Sequence, residues 1–408
     1  MSSVIERINK FNSGLIPGSI ARKYKLMRKS IYNFYRGTCH LFYEDLSKHK
    51  KIPFSPIVWV CGDLHMENFG SFRGDNRLVY FDLNDFDEAV LAPASWEIAR
   101  FLTSLFVAFQ AMDVEPEKAE KMAKLFLKSY STTLANGRPI YLEPKTARGI
   151  VKNFLSAARD RKHEKLLEKK TKKVDGHRQI RITEKHMRID EALKNELCAY
   201  LTDWIENHKD SPYNYEVLDV VFRVAGLGSL GLKRYMFLLK STNVKEKYLL
   251  VDMKQSRNSS LQPFLKNKQP VWSCDATRII AIQKRMQNVP PALLSSTRFK
   301  NEDYVIQEMQ PAKDGIRLVD IKDRYRDIYQ VVDDMATLTA SAQLRSSGRQ
   351  GSATADELIL FGQSENWQEQ VLNYAYKYTE KVNTDFQEFK RESIRESKGK
   401  TQSLVLTN

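Results

Sequence analysis

VCGDLHMENFGSFRGDNRLVYFDLNDFDEAVLAPASWEIAR, residues 60–100, is the stretch around which the rest of the chain is read. The apolar run Ile57 to Val60 predicts a short buried strand ending at Gly62, and Leu78 to Phe81 predicts a second. Asp63 and Asn68 lie in the turn between them, and Asp85 follows the second strand. Strand, turn, strand and then an acidic cluster gather Asp63, Asn68 and Asp85 near one point. Phosphoryl transfer needs such a set: a carboxylate to orient and deprotonate a hydroxyl, and an amide oxygen plus a carboxylate to hold Mg²⁺ on phosphates. An acidic surface turn would account for the Asp content alone.

Gly62-Asp-Leu-His65-Met-Glu-Asn68 resembles the GDLHxxN catalytic loop of aminoglycoside phosphotransferases and related small-molecule kinases. Asn84-Asp85-Phe86 resembles the metal-site Asp that follows it at a strand end. Twelve residues past Asp85, Glu97 in PASWEIARFL resembles the acidic helix start of those kinases. That spacing favours Asp85 over Asp82 as the metal residue. The resemblance implies Asp63 as base, with His65 beside it in the catalytic set, and Asn68 and Asp85 as metal ligands.

The second informative stretch is 217–256. A strand at Val220 to Val224 runs into Gly226-Leu-Gly228-Ser229-Leu-Gly231, then a strand at Tyr235 to Leu239, a polar turn, and a strand from Tyr248 ending at Lys254. In a dinucleotide fold GxGxxG must open a helix, with an acid about 20 residues on, near Asp252. In a kinase it lies between antiparallel strands and covers phosphates, with a Lys on the third strand. Residues 232–239 are too few for a crossover helix, so the phosphate-capping loop is preferred, with Gly226, Gly228, Ser229, Gly231 and Lys254 as nucleotide-binding residues. Asp303 to Gln310 reads as a strand into a hinge whose backbone can hydrogen-bond an adenine.

The catalytic block precedes the glycine loop by about 160 residues, as in a circular permutation. This order resembles a bacterial family catalogued as domain of unknown function 2252, as do YNFYRG at 32–37, VAGLGSLG at 224–231, MKQS at 253–256, RIIAIQKRMQ at 278–287 and VIQEMQP at 305–311. Two departures stand out. Ala281 occupies the place of a helix Glu that would pair Lys254, leaving Gln283 to offer a hydrogen bond but no counter-charge. Gln343 replaces a His in the segment 341–348, where Arg345 is retained.

Composition agrees with a folded chain. Its 408 residues suffice for one large or two modest domains, and its aromatic content of 11% argues against a disordered polymer. No apolar stretch is long enough to span a bilayer, and Cys39, Cys61, Cys198 and Cys274 form no CxxC pair. A cytoplasmic location is expected. The net charge of +15 is diffuse except at 159–188, where Glu164, Glu168 and Glu184 interleave and no aromatic residue offers base stacking. A solvated helix and hairpin is therefore expected there, with a basic rim for anions as the alternative, and nucleic acid is not expected as a partner.

The expected architecture is α+β: a two-lobed, protein-kinase-like fold, circularly permuted, with a largely helical C-lobe. Its segments are 1–210 carrying the catalytic block, 211–315 carrying the glycine loop and Lys254, closing helices at 316–392, and a disordered tail at 393–408. Helices are expected at 19–50, 98–112, 117–134, 146–170, 190–207, 323–344 and 367–389, with a mobile linker at 345–354. The expected function is phosphoryl transfer from ATP, with Mg²⁺ or Mn²⁺, to a small-molecule or protein hydroxyl. Nucleotidyl transfer to protein and an inactive nucleotide-binding scaffold are the alternatives.

Overall fold

The two apolar runs predicted as strands, at 57–60 and 78–81, both form strands but pair with other partners rather than with each other. In the computed structural model, which describes residues 2–49 and 52–405 and side chains through Arg395, Ile57–Val60 runs antiparallel to Val90–Pro93, with Val60 opposite Val90. Between them Phe69–Arg73 pairs antiparallel with Val79–Leu83. The fold is α+β.

Gly62 makes the sharp exit from the first strand at φ +87°, where a Cβ would lie 2.3 Å from the Glu88 backbone oxygen. Left-handed backbone costs a non-glycine residue about 1–3 kcal/mol before any clash is counted. Gly62→Ala is therefore expected to lower the urea midpoint by at least that equivalent. An unchanged midpoint would show that the turn can relax.

Helix Ala94–Ala111 follows at once and is buried almost all round, from Ala94 to Phe109 with only Trp96 partly open. It is the central rod of the helical core and packs against Pro116–Asn136 and Gln368–Val405. Pro116 starts its helix, where a missing N–H costs nothing. The single helix expected at 19–50 is three: Pro17–Met27, Ile31–Gly37 and Cys39–Ser47, while residue 50 lies outside the described residues. Ser30 makes the first break by capping Ile31–Gly37, its Oγ accepting from Asn33 N–H at 3.1 Å.

The expected 146–170 helix likewise splits into Gly149–Arg159 and His163–Lys170. The 345–354 linker, expected to be mobile, is tied down: Ala353 N–H donates to Ile57 O at 2.7 Å and Trp59 Nε1 to Arg349 O at 3.1 Å. A short helix, Ala355–Gln363, follows it. The last helix runs Gln368–Val405, so the expected disordered tail lies on it through 405, and 406–408 lie outside the described residues.

Six antiparallel strands form the main sheet, in the order Ser295–Phe299, Glu302–Glu308, Tyr248–Gln255, Arg234–Ser241, Tyr215–Arg223, His186–Met187. One face packs on helix Glu191–Asn207 through Leu197, Leu201 and Trp204. On the other face Val221, Met236, Leu238 and Leu250 are covered by Leu167 and Ile180, from helix His163–Lys170 and the hairpin Thr171–Val174/His177–Ile180. The basic 159–188 segment is thus more than a solvated face: its apolar residues close one side of the sheet, and its charges face out. His186, at 4% exposure, is buried opposite Arg223 on the edge strand.

Candidate functional site

Asp63 is anchored from helix Ala94–Ala111. Glu97, in the first turn of helix Ala94–Ala111, accepts the backbone N–H groups of Cys61 at 2.7 Å and Gly62 at 3.3 Å, fixing the turn just before Asp63. One turn further along the helix, Arg100 points the same way. Its Nε and Nη2 donate to Asp63 Oδ1 at 3.1 and 2.7 Å, and its guanidinium, wholly buried, lies 3.7 Å from the centroid of the Tyr35 ring. Burial pushes the Asp63 carboxyl up, but Arg100, then His65 and Arg36, outweigh this and hold it below the usual range.

Asp63 Oδ2 faces the glycine loop: a Cβ on Gly228 would lie 3.9 Å from it. The loop joins strands Tyr215–Arg223 and Arg234–Ser241, antiparallel neighbours, so GxGxxG opens no helix here. Gly226 and Gly231 have φ of +79° and +105°, which explains glycine at both. Lys23, fully buried, donates to Gly228 O at 3.2 Å and Asn12 Oδ1 at 3.1 Å, tethering the loop tip to the helical core. Burial, then the Arg257 charge, pushes its amine down to about 7. Ser229 lines the cavity with Gly226 and Gly228, whereas Gly231 packs against Leu15 outside it.

His65 sits beside Asp63 with Nε2 4.0 Å from Oδ2. Glu67 N–H lies 3.1 Å from Nδ1 and Arg36 Nε 3.3 Å from Nε2. A neutral imidazole accepts at only one nitrogen, so the two contacts exclude each other. Two flanking donors also oppose protonation: burial, then Arg36, pushes the ring down to about 3, and His65 is neutral near pH 7. Arg36 additionally pairs Glu67 and lines the cavity.

Asn68 braces the two halves of the block. Its Nδ2 donates to Asp63 O at 3.1 Å and Asp85 O at 3.3 Å, while its Oδ1 accepts Asp85 N–H at 3.1 Å. Asp85 is solvent-accessible in the cleft; surrounding protein and then the Asp87 charge push its carboxyl up. Asp82 is buried in strand Val79–Leu83 and paired with Arg345 at 3.1 Å.

Lys254 does reach this block. Tyr248–Gln255 delivers it to Asp87, with which it forms an ion pair. Burial raises the Asp87 carboxyl, but Lys254 more than offsets that and the net direction is down. The counter-charge expected from helix Asp275–Met286 therefore comes from the catalytic block. Gln283 is not brought to Lys254: it donates to Gln287, which donates to Leu83 O. It belongs to a separate small cavity beside Gln307 and Lys313.

The departure at 343 is likewise absorbed internally. Gln343 donates to Glu97 Oε2 at 3.0 Å and accepts from the buried Tyr130 hydroxyl. Arg345 donates to Met286 O and Ile140 O as well as pairing Asp82.

Asp63, Asp85, Asp87 and Glu88 thus face the glycine loop, Arg36 and Arg257 across one cavity of about 70 Å³. Sequence reasoning missed Arg100, Asp87, Glu88, Lys23 and Arg257. Only Arg100 left a usable signal, three residues past Glu97 on the same helix face.

Residues 15–392 match a family described as an uncharacterized protein conserved in bacteria, DUF2252. The chain belongs to this family. No curated protein and no solved structure matches it.

The residues of this DUF2252 chain fit a cation only jointly with a ligand. Among the described residues no group of three or more His, Cys, Asp or Glu is placed to hold a metal ion. Asp85 offers accessible oxygens, whereas Asn68 is 1% exposed and outside the cavity lining, with one Oδ1 lone pair given to Asp85 N–H and one left, so other oxygens would have to complete a Mg²⁺ shell. The opposite wall carries the glycine loop with Arg36 and Arg257. No helix among the described residues is long and apolar enough to cross a membrane.

Proposed function

We propose that the chain is a circularly permuted, kinase-like phosphotransferase that uses ATP or a related polyphosphate donor with Mg²⁺ or Mn²⁺ to modify a small-molecule or protein hydroxyl. The observation that carries it is Asp63, with one oxygen held by Arg100 and the other facing the glycine loop. In this reading the 211–315 sheet and the helical remainder are the two lobes.

Asp63 orients the acceptor hydroxyl and takes its proton. Held below the ordinary carboxylate range, it is a weak base, which suits a loose transition state in which the hydroxyl loses its proton late. Neutral His65 is not an acid near pH 7, and its part is to flank Asp63. Lys254, Arg36 and Arg257 oppose phosphate charge, and the glycine loop excludes water above it. Asp85 and Asn68 would hold the cation, which neutralises charge on the transferring phosphoryl group.

The direct test is transfer of labelled terminal phosphate, in the presence of Mg²⁺, to components of a cell extract. A second expected result concerns the metal site. At a ligand concentration about 100 times Kd, Mg²⁺–ATP stabilises by roughly 2.7 kcal/mol. Asp85→Asn is expected to remove the Mg²⁺-dependent part of that thermal shift, because a neutral amide cannot offset cation charge. Asp82→Asn is expected to keep it, since Asp82 already pairs Arg345 away from the cavity. Equal losses would reassign the metal residue.

The scaffold reading is favoured by one feature, the closed Lys254–Asp87 pair over a small cavity. Binding of Mg²⁺–ATP without hydrolysis or transfer would select it.

A further inference from the structure

A donor whose phosphates lie under the glycine loop and Lys254 must send its base along the sheet face that Lys254 shares. Side chains alternate along a strand, so Lys254, Asp252 and Leu250 share that face, with Arg234, Met236 and Leu238 beside them. The face has no open apolar slot. Val221, Met236, Leu238 and Leu250 are at most 2% exposed, under Leu167 and Ile180. The cover is fastened at the same strand: His163 Nε2 lies 2.9 Å from Tyr248 O, and Arg178 stacks over the Tyr248 ring.

Nearer the glycine loop the face is ionic. Asp252, 1% exposed, is held at 2.6 Å by both Arg223 and Arg234. The hinge backbone is engaged as well. Residues 304–306 are paired on both sides, 307 and 308 pair with strand Tyr248–Gln255, and Met309 N–H donates to Leu250 O at 2.8 Å. Gln310 clamps Arg73, accepting its N–H at 2.6 Å and donating to its carbonyl at 2.8 Å. A cavity of about 70 Å³ is also far below the roughly 300–1,000 Å³ of ordinary ligand pockets.

We infer that the site reads the polyphosphate of its donor and not the base. This rests on the phosphotransferase reading above and narrows it: the donor class is any compact polyphosphate, nucleoside or inorganic. On this inference the backbone of 303–310, expected from the sequence to meet an adenine, is committed mainly to the sheet and to Leu250.

The test is calorimetric titration of the full chain, in Mg²⁺, with tripolyphosphate, ATP, GTP, CTP and adenosine. Tripolyphosphate and the three nucleotides are expected to bind within about threefold of each other, and adenosine not at all. ATP binding more than about tenfold tighter than both CTP and tripolyphosphate would overturn the inference while sparing the phosphotransferase reading. Hydrogen exchange over 163–180 supplies a second readout. Unchanged protection with saturating ATP is expected, and its loss would mean that the cover lifts to admit a base, overturning the inference. If none of the phosphate compounds binds, the phosphotransferase reading falls and the inference with it.

Discussion

Asp63→Asn is expected to lower phosphoryl transfer by roughly 10²–10⁴-fold, the usual contribution of a positioned general base. Donor binding should be unchanged or slightly tighter. The carboxylate's Oδ2 faces the glycine loop across the cavity, where a bound phosphate would lie, so removing its charge removes a repulsion. The substitution keeps an oxygen for Arg100 to bond, so the turn held by Glu97 should stay in place. Steady-state rates and calorimetric affinity, measured on the same preparation, separate the two effects. An Asp63→Asn protein that transfers phosphate at the wild-type rate would remove Asp63 from the chemistry.

Arg100→Met is expected to cost about 3–5 kcal/mol of stability, because deleting one partner of a buried pair leaves the other charge uncompensated. The lower end applies here, since Asp63 retains 19% side-chain exposure toward the cavity while Arg100 has none. Arg100 Nη2 also donates to Tyr35 O at 3.0 Å, so the substitution loosens helix Ile31–Gly37, which carries Arg36.

The pH dependence gives a check on mechanism. The Asp63 carboxyl lies below its ordinary value when folded, so its contribution is full above about pH 3.9 and fades as pH falls through the lower folded value. Urea unfolding of the wild type and Arg100→Met should therefore diverge most near neutrality and converge on acidification. A gap that persists at low pH would assign the loss to packing against Tyr35 rather than to charge.

Much of the site was legible because its residues are close in sequence. Asp63, Asn68, Asp85 and Glu97 lie within 35 residues, and short strands with a glycine turn leave few ways to arrange them. The strand character of 232–239 likewise argued against a dinucleotide loop, and the glycine segment does join antiparallel strands and opens no helix. Lys254 was placed by counting strands from the glycine loop.

Its partner could not be found that way. The resemblance points to helix 276–287 for the counter-charge, whereas Asp87 arrives from 167 positions away. The basic segment 159–188 misled for a related reason: its charges dominate the composition, and the few apolar residues that matter, Leu167 and Ile180, have no periodic pattern to announce a buried face.

By itself, then, the sequence determined the α+β class, the order of the two blocks and the cluster around Asp63, since these follow from local spacing and burial pattern. Tertiary structure alone decided that Lys254 pairs Asp87, that Lys23 anchors the glycine loop, and that the sheet face beside that loop is filled. Each of these depends on which distant surfaces share a core. That is set by the summed packing of the whole chain and leaves no signature at any one stretch.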